Sequence, residues 1–161
     1  MKNLILIRHA KSSWKNTSLD DFDRPLNKKG KQDAPIMADR LLKRGINMDY
    51  IISSPAKRAA DTAKIFAGVL SYNSEITLTD DLYEASQNQI LEVIKRIDYK
   101  YQNILIVCHN PGLTNLVNYL SDDFIDNVPT TGMFGVSIDC DWKDINKKYS
   151  SIIFFDYPKK K

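Results

Sequence analysis

The fold class that this 161-residue sequence predicts is α/β, a three-layer arrangement with helices on both faces of a mostly parallel sheet. Residues 4–7 and 104–107 are apolar runs without polar alternation, which is typical of parallel strands buried on both faces. Strand-like runs also alternate along the chain with segments that have helical spacing of apolar residues. A chain of this length can bury one core, so we expect a single domain over residues 1–161.

Composition and charge narrow the class of protein. The content of 43% hydrophobic and 27% charged residues is ordinary for a globular protein, and no apolar run approaches the roughly 18 residues of a membrane span. The net charge of +3, partly carried by Lys159-Lys160-Lys161, does not favour nucleic acid as a partner. We therefore expect no membrane or nucleic-acid partner. A cytoplasmic location is also expected, because cleavage of an N-terminal signal would remove the candidate site described below.

The first strand leads into a polar segment and then a helix. Residues 10–26 are rich in turn-forming types and predict an ordered loop over the site, with Trp14 and Phe22 as its apolar anchors. Asn27 is a candidate N-cap, and Gly45 is a candidate terminator. Pro35 should kink the helix or delay its start, because it removes a backbone donor. The expected buried stripe is Ala34, Met37, Ala38, Leu41 and Leu42.

A second strand, at residues 50–52, is followed by another turn and helix. Ser54 is expected to cap a helix whose first residue is Pro55, and this helix carries Arg58 in its first turn. An edge-like strand is expected at residues 76–78. Ser86 and Gln89 have the spacing of a capping box before a third helix. The buried stripes of these two helices are expected to comprise Ala59, Ala63, Phe66, Ala67 and Leu70, then Ile90, Leu91, Ile94 and Ile97.

The last third of the chain repeats the pattern once and then closes the sheet. The turn Asn110-Pro111-Gly112 leads into an amphipathic helix. Residues 134–139 and 152–155 predict two closing strands, which could form a hairpin. Cys108 and Cys140 lack metal-ligand spacing and lie in or beside strands, so we expect reduced, structural thiols.

The only two histidines of the chain each follow a buried strand directly. Because carboxyl ends of parallel strands lie at one edge of a sheet, His9 and His109 should belong to one site. Arg8 and Arg58 can each hold a phosphoryl group through charge-assisted hydrogen bonds. A neutral histidine in such a site can attack phosphorus, and a second histidine, if charged, would stabilise the phosphoryl oxygens. The residues therefore indicate phosphoryl transfer.

Other interpretations of the same residues were weighed. Taken singly, each histidine is more often structural or a metal ligand, and each arginine is more often an ion-pair partner of an aspartate. A metal held by His9 and His109 would require a carboxylate and would be opposed by Arg8 and Arg58. Arg58 near a helix start opposes the helix dipole, which favours a bound anion as its partner.

Four segments occur in the order of a known family. They are Ile7-Arg8-His9-Ala10, Ser53-Ser54-Pro55-Ala56-Lys57-Arg58-Ala59-Ala60-Asp61-Thr62-Ala63, Leu82-Tyr83-Glu84-Ala85 and Val107-Cys108-His109-Asn110-Pro111. Together they resemble the histidine phosphatase superfamily, and specifically its small branch related to the SixA phosphohistidine phosphatases. The resemblance implies a phosphoglycerate mutase-like fold. It also implies that His9 is the phosphorylated nucleophile, that Arg8, Arg58 and His109 form the phosphate pocket, and that no metal or other cofactor is required.

The resemblance also proposes roles for less specific residues. Glu84 is the candidate general acid, with Asp20, Asp21 and Asp23 as weaker alternatives for an acid or for substrate contacts. Two more residues, Asn110 and Thr131, are candidates for the lining of the phosphate pocket, although a turn role fits them equally well. The family's usual Arg-His-Gly is Arg-His-Ala here, so a glycine-only conformation would strain Ala10.

The expected function is a metal-independent phosphatase with a phosphohistidine intermediate, acting on phosphohistidine of a signalling or phosphocarrier protein. No large insertion follows the first strand or the second helix, and an open site suits a protruding protein side chain. An imidazole leaving group, with a reference pKa of about 6.5, needs little help from an acid such as Glu84. Two alternatives stay open: a phosphatase of small phosphomonoesters, and a non-catalytic module that binds phosphorylated partners.

Overall fold

Six strands form one mixed sheet, in a computed structural model that describes residues 1–161. The strands are β1 (Lys2–Arg8), β2 (Tyr50–Ser53), β3 (Thr77–Leu78), β4 (Asn103–Cys108), β5 (Met133–Ile138) and β6 (Ser150–Asp156). Their order is β3-β2-β4-β1-β5-β6. The first four strands pair in parallel, whereas β5 pairs antiparallel with both β1 and β6. The predicted mostly parallel sheet, its edge strand and its closing antiparallel pair are confirmed.

Helices cover both faces of this sheet. They are α1 (Lys28–Lys43), α2 (Lys57–Val69), α3 (Gln87–Lys95) and α4 (Gly112–Leu120). Consecutive strand residues point to opposite faces, so Ile5 and Ile7 pack with α1 and α2, while Leu4 and Leu6 pack with α3 and α4. The predicted three-layer arrangement is confirmed. None of the helices combines the length and the apolar character needed to cross a bilayer.

The first helix follows most of its sequence signals. The Asn27 side chain accepts from the Gly30 N–H at 2.8 Å, and Gly45 ends the helix with a φ of 75°. The expectation that Pro35 delays the start of the helix was wrong, because the helix begins at Lys28 and continues through the proline. Pro35 and Lys31 are both exposed, so water can satisfy the carbonyl that the proline leaves unpaired. The stripe is confirmed except for Leu42, which is exposed.

Two further expectations are corrected where tertiary contacts compete with local signals. The second helix begins at Lys57 after Ala56, not at Pro55, and Ser54 does not cap it. The Ser54 hydroxyl is instead 2.7 Å from His109 Nε2. Trp14 and Phe22 are not buried anchors, since their residues are 72% and 37% exposed. By contrast, the Ser86 capping box at the start of α3 is present.

The neighbouring strands β1 and β4 create the crevice in which the site lies. The helix that follows β1 covers one face of the sheet, and the helix that follows β4 covers the other. The chain therefore leaves the carboxyl ends of two adjacent parallel strands in opposite directions. Such a switch point is where open α/β sheets bind their ligands.

Candidate active site

The two histidines lie side by side because of strand register. Arg8 pairs with Cys108 in the parallel ladder, so the next residue of each strand is a histidine. The His9 N–H donates to the Cys108 carbonyl at 3.2 Å, and the two imidazole centroids are 5.1 Å apart. The structure thus brings His9 and His109 together at one sheet edge, as the sequence predicts.

His9 is buried in a state suited to a nucleophile. Its Nδ1 is 2.7 Å from the Ala10 carbonyl oxygen. A carbonyl can only accept, so we assign the proton to Nδ1 and the lone pair to Nε2. Burial, and secondarily the charges of His109, Arg58 and Arg8, lowers the pKa of His9 to about 3, although the bond to Ala10 opposes this shift. The ring is therefore neutral near pH 7, as expected.

His109 is also neutral in the free protein, so the charged form considered from the sequence is not the one present before a ligand binds. Burial, followed by the charge of Arg58, lowers its pKa to about 4. Its Nε2 lies 2.7 Å from the Ser54 hydroxyl, while Nδ1 is buried without a partner in the protein. If Ser54 donates to Nε2, the proton of the neutral ring is on Nδ1. His109 can then donate to an anion without carrying a charge.

Each of the two arginines is held by hydrogen bonds through its terminal nitrogens, and each has one buried N–H donor without a partner. Arg8 Nη1 donates to the Val128 carbonyl at 3.0 Å, and Arg58 donates to Asp21 at 2.8 and 3.0 Å. Four buried side-chain polar atoms have no hydrogen-bond partner: Arg8 Nε, Arg58 Nε, His109 Nδ1 and Thr131 Oγ1. Buried donors of this kind are costly unless an acceptor meets them. An oxyanion such as a phosphoryl group supplies several acceptors at once.

A cavity of about 430 Å³ joins these residues and carries a strong positive charge. Glu84 is the only acidic residue that lines it. The basic residues that line it are Arg8, Lys11, Lys15, Arg24 and Arg58. This charge distribution attracts an anion to the edge of the sheet where His9 lies.

Asp21 organises the site more than the sequence suggested, because its carboxylate joins three side chains. Arg24 donates to one oxygen at 2.9 and 3.1 Å, while Arg58 and the Tyr83 hydroxyl donate to the other at 3.0 and 2.6 Å. Burial raises its pKa, but hydrogen bonds from Tyr83 and Arg24 and the charge of Arg58 outweigh this and hold the pKa at about 2. Asp21 is therefore ionised and not a general acid.

Glu84 lies on the cavity wall in an uncommon backbone conformation. Its φ is 50°, in the left-handed region that a residue with a side chain seldom adopts. Such conformations cost of order 1 kcal/mol or more and concentrate at functional sites. Its position on the cavity wall supports Glu84 as the candidate acid, and its assignment stays a prediction.

Other pocket candidates turn out to hold the framework. The Asn110 amide donates to Asn127 and to the Val128 carbonyl at 3.0 Å, and its oxygen accepts from Thr114. Its polar atoms are thus committed within the protein, which argues against the expected contact with phosphate. The Val128 carbonyl also accepts from Arg8, so Asn110 and Arg8 share one backbone acceptor. No sequence signal marked Val128, because only its backbone takes part.

The residue that replaces the family's glycine, Ala10, has no strained backbone conformation. Ala10 is fully buried and is not among the residues with positive φ. Its N–H donates to the Thr62 hydroxyl at 2.9 Å, and that hydroxyl donates to the Arg58 carbonyl at 2.7 Å. Thr62 therefore links the nucleophile loop to the helix that carries Arg58.

The cysteines and the metal-ligand types add no second centre. Burial raises the pKa of Cys108 to about 12, so its thiol stays protonated, in keeping with a structural role. No group of three or more His, Cys, Asp or Glu side chains is arranged to hold a metal ion.

Comparison with known proteins connects this geometry to a family. Residues 4–89 match the histidine phosphatase superfamily (branch 1). An uncharacterized chloroplastic protein of Arabidopsis thaliana is 34% identical over 129 residues, which cover 74% of this chain and 59% of that protein. The SixA structure of Agrobacterium tumefaciens superposes with a TM-score of 0.83 at 27% identity, covering 98% of each chain.

A second solved structure agrees in fold. The protein histidine phosphatase SixA in complex with tungstate has a TM-score of 0.82 and 17% identity, covering 97% of each chain. The predicted phosphoglycerate mutase-like fold and the SixA likeness are thereby confirmed. With two strand-end histidines and two arginines around one cavity, and with this family match, the chain belongs to the histidine phosphatase superfamily.

Proposed function

We propose that the protein is a phosphatase that forms a covalent phosphohistidine at His9 and that acts on phosphohistidine of another protein. The observation that carries this proposal is the set of unpartnered donors on Arg8, Arg58 and His109 around a neutral His9. Three donors can meet three phosphoryl oxygens, while Nε2 of His9 has the lone pair that attacks phosphorus.

The first step transfers the phosphoryl group to the enzyme. Nε2 of His9 forms a bond to phosphorus as the bond from phosphorus to the leaving group breaks, and the electrons of that bond leave with the departing atom. The Nδ1–H of His9 continues to donate to the Ala10 carbonyl. This hydrogen bond stabilises the positive charge that the phosphorylated ring acquires. Arg8, Arg58 and His109 stabilise the charge that spreads over the phosphoryl oxygens in the transition state.

The second step returns His9 to its starting state. A water oxygen attacks the phosphorus of phospho-His9, and the bond from Nε2 to phosphorus breaks with its electrons returning to the ring. Glu84 is on the cavity wall and is the candidate to take the proton that the water loses. The products are inorganic phosphate and neutral His9, and water is the only other reactant that enters the balance.

The nature of the leaving group supports a phosphohistidine substrate. A departing imidazole, with a reference pKa of about 6.5, is protonated easily, whereas an alkoxide needs an acid. The segment between β1 and α1 contains a single 3₁₀ turn, at Asp21–Asp23, and no inserted helix or strand. The cavity is thus bordered by a loop without an inserted lid element, which leaves room for a protein surface. The likeness to SixA points the same way.

The test is metal-free turnover of a phosphohistidine protein beside a panel of small phosphomonoesters, with wild type and His9→Ala. Preference for phosphohistidine that depends on His9 is the expected result. A phosphoryl group on His9 that is lost in acid and retained in base would identify the phosphohistidine intermediate. Binding without turnover of any compound would contradict the proposal and favour a phosphate-binding module.

A second candidate, a phosphatase of small phosphomonoesters, is favoured by one observation. Glu84 keeps an energetically costly backbone conformation on the cavity wall, and an acid is most useful for alkoxide leaving groups. Higher kcat/KM on one small ester than on phosphohistidine would select this candidate. The same panel of substrates therefore decides between the two functions.

A further inference from the structure

The loop beside the nucleophile carries an aromatic side chain that the proposed chemistry does not use. Trp14 is 72% exposed, yet it lies on the wall of the catalytic cavity. Exposing so large an apolar ring forgoes the stabilisation that burial would give it. Trp14 has no role in holding the core, so a contact outside the chain is the better explanation for its position.

The Trp14 ring is held in place from one side. The Arg24 guanidinium lies 3.5 Å from the ring centroid, a cation–π contact. Arg24 is itself fixed by two hydrogen bonds to Asp21 and one of 2.6 Å to Ser12. A ring oriented in advance loses less conformational entropy when a partner covers it. Tryptophan and arginine are also the side chains that dominate the energetics of protein interfaces.

Lysine side chains without an ion-pair partner lie in the same cavity as this ring. Lys11 and Lys15 line the same cavity, and neither makes an ion pair within the protein. A second cavity of about 320 Å³ shares Lys11 and adds Lys159 and Lys29, of which Lys29 pairs with Asp33. The basic surface thus extends beyond the phosphoryl pocket. It covers two adjacent cavities, whereas a single phosphate ion would occupy only one of them.

We propose that Trp14, Lys11 and Lys15 form a docking surface for a phosphorylated protein whose residues around the phosphorylated side chain are acidic. This inference rests on the proposed function, because it assigns the partner of the same site. Acidic side chains of the partner would pair with the two lysines, and its surface would cover the exposed face of Trp14. The lysines supply charge complementarity and faster encounter, while the ring supplies contact area.

The experiment compares two phosphohistidine peptides of equal length with phosphoramidate. In one peptide Asp and Glu flank the phosphohistidine, and in the other Lys flanks it. We expect wild type to prefer the acidic peptide by about tenfold in kcat/KM. In Lys11→Glu/Lys15→Glu this ratio should fall to near unity or reverse. Phosphoramidate has no flanking residues and reports on the phosphoryl site alone.

Matched control variants separate docking from general charge and from loss of an aromatic ring. Lys64→Glu/Lys100→Glu makes the same change in net charge at exposed positions outside both cavities, and should keep the wild-type ratio. Trp14→Ala should raise KM for the acidic peptide about fivefold, with kcat retained. Tyr99→Ala removes an equally exposed ring, at 73%, and should leave KM unchanged.

Each outcome decides the docking proposal. Turnover of phosphoramidate that depends on His9, with equal kcat/KM for both peptides, would overturn docking and leave the proposed function standing. An unchanged ratio in Lys11→Glu/Lys15→Glu would overturn it equally. Absence of turnover on every compound would remove the proposed function, and the docking surface with it.

Discussion

The strand ends and the loop beside them build the same cavity by different means. The strand-end region, which comprises Arg8, His9 and His109, is placed by the pairing of β1 with β4, so backbone hydrogen bonds set the distance between the histidines. The loop region, residues 11–26, has few buried side chains and is held by bonds to Asp21 and Arg24. The proposed chemistry therefore depends on rigid elements, and the proposed partner contacts lie on a loop, where sequence can vary more freely.

The largest effect is expected where the strand ends carry the reaction. His9→Ala removes the attacking nitrogen, so kcat should fall by roughly 10³-fold or more. The thermal transition should stay close to that of wild type, because His9 is not part of either hydrophobic cluster. Turnover within tenfold of wild type would contradict the nucleophile assignment. Circular dichroism of the variant checks that the fold is kept.

Glu84 tests whether the cavity wall contributes to proton transfer. Glu84→Gln keeps the size of the side chain but removes the acid, so hydrolysis of an alkyl phosphomonoester should slow by about 10²-fold. Transfer of the phosphoryl group from phosphohistidine to His9, measured in a single turnover, should slow much less, because imidazole is the better leaving group. Equal loss on both substrates would contradict this account of the leaving group. Glu75→Gln, an exposed change outside the cavity, is the control.

Asp21 tests how the loop region supports the strand-end region. Asp21→Asn weakens the carboxylate that orients Arg58, so kcat should fall about tenfold. Inhibition by inorganic phosphate should not weaken, because removing a negative charge favours anion binding. If Asp21 had a purely structural role, the variant would instead show a lower kcat, weaker inhibition by inorganic phosphate and a lower thermal stability. Asp23→Asn, an exposed change in the same 3₁₀ turn, is the matched control.

A further expected effect concerns stability rather than turnover, because the free energy of unfolding should depend on pH. Both histidines have lowered pKa values in the folded protein, about 3 and about 4, against 6.5 when unfolded. Below pH 6.5 the unfolded state binds more protons, so the free energy of unfolding should fall as pH decreases from 6.5 towards 4. Each histidine contributes up to about 1.4 kcal/mol per pH unit. Asp21, with a pKa of about 2, stays ionised throughout.

Urea unfolding between pH 7 and pH 4 measures this slope. The double variant His9→Gln/His109→Gln should show a shallower profile than wild type over the same range. A wild-type profile that is flat across the range would show that the histidines are not buried in the neutral state. That result would weaken the assignment of His9 as the nucleophile as well.

Sequence patterns alone were enough to predict the sheet, its covering helices and the central residues of the site. Apolar runs locate β1 and β4, and helical spacing locates α1 to α4, because burial of one face depends on periodicity alone. The residue that ends a parallel strand must lie at the carboxyl edge. The positions of Arg8, His9 and His109 thus follow from the order of residues along the chain.

Interactions between distant segments could not be predicted from such patterns, because they depend on how the chain folds. Ser54 has the local signal of a helix cap, yet its hydroxyl pairs with His109, which lies 55 positions further along the chain. Trp14 is a large apolar residue of the kind that usually packs in a core, but it lies exposed against Arg24. Asp21, a candidate acid, is ionised and accepts hydrogen bonds from Arg58 instead of donating a proton. These roles depend on desolvation and hydrogen-bond partners, which no pattern of neighbouring residues specifies.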